Sequence, residues 1–110
     1  MRTIKLQGDL TFVPVSSVPK AAKKVQPVIH KGREVYILQL GEATGHAHVI
    51  ETSPTSSVWD VKGQIYTKVG GKDKVTHEQH QDTDLEKGVW KVVVQQEFDY
   101  EERVRRQVSD

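Results

Sequence analysis

The sequence predicts a small all-β domain, a barrel or sandwich with one short helix at its C-terminus. Three observations carry that expectation. Apolar residues fall in short segments that alternate with polar ones, as Leu10 and Phe12 do against Thr11 and Val13. Gly, Pro or a polar cluster punctuates each segment. The 110 residues are 35% hydrophobic and include no Cys, so one core must hold a single domain over residues 1–110 without disulfides.

The elements follow in order. Residues 3–6 form a short β-like stretch, Gly8-Asp9 a turn and residues 10–15 a second strand. Pro14 and Pro19 bracket an irregular or edge segment, and residues 21–25 suit one helical turn stopped by Pro27. After a turn at Lys31-Gly32, residues 34–40 read as a strand rich in Val, Tyr, Ile and Leu. Gly41 and Gly45 interrupt it, and residues 46–51 resume it. A polar loop at 52–57 leads to a hairpin of 58–61 and 64–69 around Lys62-Gly63. Residues 70–74 read as a turn, 75–80 as extended chain, 82–87 as a lead-in to Gly88, and 89–98 as the longest strand. In that last strand Trp90, Val92, Val94, Gln96 and Phe98 share the more apolar face, which therefore belongs to the core. The tail at 100–108 is charged, and Val104 and Val108 sit four apart, the spacing of a helical stripe.

Charge excludes little by its total, since 16 basic against 15 acidic residues leave +1. Its distribution says more. Basic residues dominate 1–35 and acidic ones 77–110, which suits ends that lie close together within a subunit or across a dimer, or else a basic contact face at Lys20, Lys23 and Lys24. Without Cys there is no thiolate metal site, thiol nucleophile or iron–sulfur cluster. The N-terminus lacks a signal-peptide apolar run and no stretch matches a bilayer span, so a cytoplasmic location without membrane contact is the expectation.

The histidines carry the chemistry. His46 and His48 are an i,i+2 pair, and on a strand both point to one face with Ile50. Each ring needs partners for two nitrogens, and a metal satisfies one per ring. His77 and His80 form a second pair with Glu78 between them, aligned where the chain bends. The predicted first shell is His46, His48, His77 and His80, with Glu78 and Gln96 as outer groups that could orient a water. The expected ion is divalent: Zn, Ni, Fe or Mn. The alternative for the same residues is surface histidines with hydrogen-bonding roles. The i,i+3 spacing of His77 and His80 departs from the helix-borne HExxH motif. His30 reads as isolated and exposed. No P-loop and no nucleophile elbow is present.

At these residues the chain resembles the cupin superfamily of double-stranded β-helix proteins. Gly41, His46-Ala47-His48 and Glu51 are similar to the first cupin motif, which implies a divalent metal held by His46, His48 and a carboxylate, with a later His. Glu51 reaches that face only through a bulge, and the Pro-x-Gly turn of the second motif is missing before His77 and His80. The chain also resembles a set of short bacterial and phage proteins through Gly8-Asp9, Pro14-Val15, the Gly-Glu-Ala-Thr-Gly-His-Ala-His segment at 41–48, Thr-His-Glu-Gln-His at 76–80, the Leu-Glu-Lys-Gly of 85–88 and the Gln-rich stretch at 95–100. That likeness carries no activity with it.

The leading expectation is therefore a divalent-metal-binding β-barrel, acting as an enzyme or a sensor of a small-molecule ligand. The alternative is a structural or protein-interaction module whose histidines are not catalytic. A homodimer is expected because a domain this small has sheet edges to cover. Nucleic acid is not the expected partner: Tyr36 and Tyr66 would need a basic strand face beside them, and the sequence shows only Lys68.

Overall fold

The Gly-centred turns set the register of the sheet. The computed structural model describes residues 2–40 and 46–94. Within them nine strands form one antiparallel sheet: β1 Lys5–Gln7, β2 Leu10–Val15, β3 Lys23–Lys24, β4 Val28–His30, β5 Arg33–Leu40, β6 Ala47–Glu51, β7 Ser57–Val61, β8 Gln64–Thr76 and β9 Thr83–Val94. Lys31-Gly32 joins β4 to β5, and Lys62-Gly63 joins β7 to β8. All four of these residues have positive φ, 53° and 79° in the first turn and 51° and 84° in the second. Two-residue turns of that kind match the right-handed twist of the strands they connect. Asp60 Oδ1 accepts the Gly63 amide at 2.8 Å and secures the second turn.

The strand order is β1-β2-β9-β8-β6-β5-β4, with β7 on β8 and β3 on β7. The long strand β8 spans the glycine pair Gly70-Gly71 through a register shift between Val69 and Lys72. Before the shift it pairs with β7, and after it with β6. That bulge bends the sheet, so both halves close on one core: Leu10, Phe12, Val58, Trp90 and Val92 from one half, Tyr36, Leu38, Ile50, Val75 and Leu85 from the other. Val35, Ala47 and Val49 make a smaller cluster on the far side of β5 and β6. Strand β6 is thus covered on both faces.

Several expectations are corrected here. The sheet is open, neither a closed barrel nor a double-stranded β-helix-like sandwich: its path ends at β1 and β4, and no pairing joins them. The described residues contain no helix, and none is long and apolar enough to cross a membrane. The C-terminal helix expected over 100–108 falls outside the described residues, as do Gln96 and Phe98. The helical turn expected at 21–25 is instead β3, recruited by pairing of Lys23 with Asp60 and Lys24 with Trp59. The turn expected at 70–74 is the bulged middle of β8. Strand β9 begins at Thr83, upstream of Gly88. In each case pairing with a neighbour overrode local turn chemistry.

Candidate functional site: a braced histidine cluster

The site forms where the β1–β2 turn, the start of β6 and the loop after β8 meet. His48 lies on β6, opposite the irregularity between Ile37 and Gln39 of β5. The residue is 2% exposed, so whatever its ring nitrogens meet lies within the protein. Nδ1 lies 2.8 Å from Gln7 Oε1, and Nε2 lies 3.3 Å from Asp9 Oδ1. Gln7 is itself buried, and its Nε2 donates to the carbonyls of Val75 and Gln81, each at 2.8 Å. With both amide hydrogens used, Gln7 Oε1 can only accept, so His48 carries its proton on Nδ1. Nε2 of the neutral ring therefore turns a lone pair toward the Asp9 carboxylate.

The other rings pack around this one. His77 touches all three, with centroids 4.3 Å from His48, 4.6 Å from His80 and 5.9 Å from His46. His80 stacks nearly parallel to His48 at 5.9 Å. Gly8 makes room for it: at φ 58°, a Cβ there would come within 2.6 Å of His80 Nε2. His77 Nδ1 accepts the Gln79 amide at 3.0 Å. Glu78 turns away from the rings. It accepts the Ala47 amide at 2.9 Å and pairs with Lys31 Nζ at 2.8 Å, which ties the loop to the start of β6 and to the β4–β5 turn. His30, read from the sequence as exposed, is half-buried, with Nε2 3.5 Å from Glu78 but no hydrogen bond.

The structure therefore brings His46, His48, His77 and His80 together, but as stacked rings. Among the described residues no group of three or more His, Cys, Asp or Glu side chains is placed to hold a metal ion. The expected site for Zn, Ni, Fe or Mn is corrected on that finding, and with it the metal-binding barrel. Both nitrogens of His48 face Gln7 and Asp9, Nδ1 of His77 is used by its own loop, and Glu78 is committed to Ala47 and Lys31. Gln96 lies outside the described residues. Sequence reading missed Gln7 and Asp9. Their signal was a pair of polar residues flanking Gly8, legible only once that turn was set beside β6.

Electrostatics follow from this packing. His48 and His77 are both held below the usual 6.5, first by burial and then by neighbouring imidazoles, with Asp9 opposing the shift at both and Glu78 adding to that opposition at His77. Glu78 is held well below the usual carboxylate range, chiefly by the Lys31 ammonium. A histidine with a depressed pKa binds fewer protons folded than unfolded. Its contribution to stability is complete above pH 6.5 and is lost as pH falls from there toward the depressed value. Thermal unfolding between pH 8 and pH 5 should show Tm falling below about pH 6.5. The Glu78 contribution is lost only in more acidic solution, below its unfolded value of 4.5. His48→Gln with His77→Gln should flatten the profile between pH 6.5 and 5. An unchanged slope in that double variant would remove these rings as its source.

The comparisons with known proteins place the chain in a family and add no chemistry. The chain belongs to the family described as "Domain of unknown function (DUF8820)", whose model matches residues 6–95. No curated protein and no solved structure matches. Neither the family description nor the open sheet ties the chain to the cupin superfamily.

Proposed function

We propose that this chain is a non-catalytic structural or interaction module, a single domain over residues 1–110 in a cytoplasmic setting, whose histidines brace the fold. The observation that carries the reading is the burial of His48 at 2% exposure, with Nδ1 bonded to Gln7 and Nε2 facing Asp9. A buried ring bonded to Gln7 at Nδ1 and set against Asp9 at Nε2 joins the β1–β2 turn to β6 and, through Gln7, to the end of β8. A catalytic ring needs a nitrogen within reach of substrate. The test is thermal unfolding with EDTA and then with added Zn, Ni, Mn or Fe(II). The expected Tm is the same in all of them. A Tm that falls on chelation and recovers with one ion would replace the brace by a metal site.

The open sheet favours association with a second copy. The end strands β1 and β4 carry exposed apolar side chains, Leu6 at 67% and Ile29 at 72%. An end strand with free backbone groups and apolar side chains is a template for strand addition. Sedimentation at micromolar concentration should give a homodimer, and Ile29→Lys or Leu6→Lys should give the monomer. A monomer from the unaltered chain would reject dimerisation and leave the brace untouched.

A further inference from the structure

Register places an unexpected row of side chains on the outer face of the sheet. Residues directly opposite one another on antiparallel strands share a face. Lys24 is paired with Trp59, Trp59 with Tyr66, Tyr66 with Lys91, and Lys91 with Val13. Two aromatic residues thus occupy directly opposite positions, with a lysine position at each end. Three inter-strand steps of about 4.8 Å put the two lysine positions roughly 14 Å apart. One row along, Lys68 lies between Ser57 and Val89 on the same face. The opposite face of these strands, with Val58, Thr67, Trp90 and Val92, is the core.

Next to this row is a cleft of about 380 Å³, bounded by Ser16, Ser17, Lys20, Trp59, Lys68 and Val89. Trp59 is its aromatic wall. The ring is held by a hydrogen bond from Nε1 to Ser57 Oγ at 2.8 Å, so little freedom remains to be lost when a planar group stacks on it. Lys20, Lys24, Lys68 and Lys91 have no ion-pair partner among the described residues, where Lys5, Lys31, Lys72 and Lys74 each pair with a carboxylate. The described rows of this face hold no Asp or Glu. The nearest, Asp60, lies in the register row of Lys23 and Ile65, on the other face.

We propose that the outer face formed by β3, β7, β8 and β9 binds single-stranded nucleic acid, with bases stacked on Trp59 and Tyr66 and phosphates held by Lys20, Lys24, Lys68 and Lys91. Aromatic residues at opposite positions on a sheet, flanked by cations without an ion-pair partner among the described residues, supply what a single strand seeks: stacking faces for its bases and positive charge for its phosphates. A duplex hides its base faces and would use only the lysines. An acidic peptide would likewise use the lysines and leave the rings unstacked. The net charge of +1 hides this site, because the basic residues of the face come from three strands and one loop.

The test titrates the full chain with fluorescein-labelled dT16 and U16 at 50 mM salt, reading anisotropy and tryptophan emission. Saturable binding of either strand is expected, with quenching that Trp59→Phe abolishes while Trp90 emission stays constant. Neutralising four phosphates should lower affinity about 50-fold between 50 and 200 mM salt. Trp59→Ala and Tyr66→Ala should each weaken binding about tenfold, with circular dichroism unchanged. Lys24→Glu with Lys91→Glu, two surface changes away from the core, should abolish binding even where an aromatic variant fails to fold. Three outcomes overturn the proposal: no saturable binding of dT16 or U16; binding indifferent to the folded aromatic variants and to the Lys24→Glu, Lys91→Glu pair; or equal affinity for duplex DNA or a 16-residue polyglutamate.

Discussion

Trp90→Ala is expected to cost about 3–5 kcal/mol, the range for removing a fully buried large aromatic side chain. Trp90 sits at the centre of β9, between Pro14 of β2 and Thr67 of β8, with no exposed surface. Its Nε1 donates to the Glu86 carbonyl at 2.9 Å, and the Arg2 guanidinium lies 5.1 Å from the ring centroid. Arg2 in turn donates to the carbonyls of Val89 and Val15, at 2.5 and 3.0 Å, so it clamps β9 to β2 beside the ring. The variant leaves a void, an unpaired Glu86 carbonyl and a cation without its aromatic partner. Set against a typical total of about 5–15 kcal/mol, this brings the domain to the edge of unfolding. Urea denaturation should show a midpoint far below that of Trp59→Ala, which removes a half-exposed ring from the outer face and should cost no more than about 1.5 kcal/mol. Equal losses for the two tryptophans would mean that the inner and outer faces have been assigned the wrong way round.

His48→Ala is expected to lower stability by about 2–4 kcal/mol, through a cavity and a stranded polar partner. Gln7 would keep its two donated bonds, but its Oε1 would be buried without a donor. At roughly 4–5 °C per kcal/mol for a domain of this size, Tm should drop by about 8–20 °C. His30→Ala, which loses no hydrogen bond, should cost less than about 1 kcal/mol. A cycle of His48→Ala, Gln7→Ala and the double variant should be strongly non-additive, since each single change strands the other residue. Additive losses would show that the two side chains do not act as one brace.

Local pattern alone marked the chain as all-β and set the faces of its strands, but not the barrel expected with them. Alternation in residues 10–15 and 89–94 marked Leu10, Phe12, Trp90 and Val92 as inward, because a period of two has only one solution when one face must be buried. The dipeptides Lys31-Gly32 and Lys62-Gly63 announced their turns, since positive φ at both positions is costly for most other pairs. The two histidine pairs marked where polar side chains would gather. Tertiary structure decided everything that depends on which strand lies beside which. Lys23 and Lys24 became a strand only because β7 offered an edge, and Gly70-Gly71 became a bulge because β9 holds β8 on both sides of it. A bend and an open path have the same local alternation as a closed barrel, so closure is invisible in sequence. The same holds for the two sites. Gln7 and Asp9 are 41 and 39 positions from His48, and only the β1–β2 turn resting on β6 brings Gln7 to Nδ1 of that ring and Asp9 beside its Nε2. Lys24, Trp59, Tyr66 and Lys91 span 67 positions, and they form one row because pairing register, a non-local property, places them opposite one another.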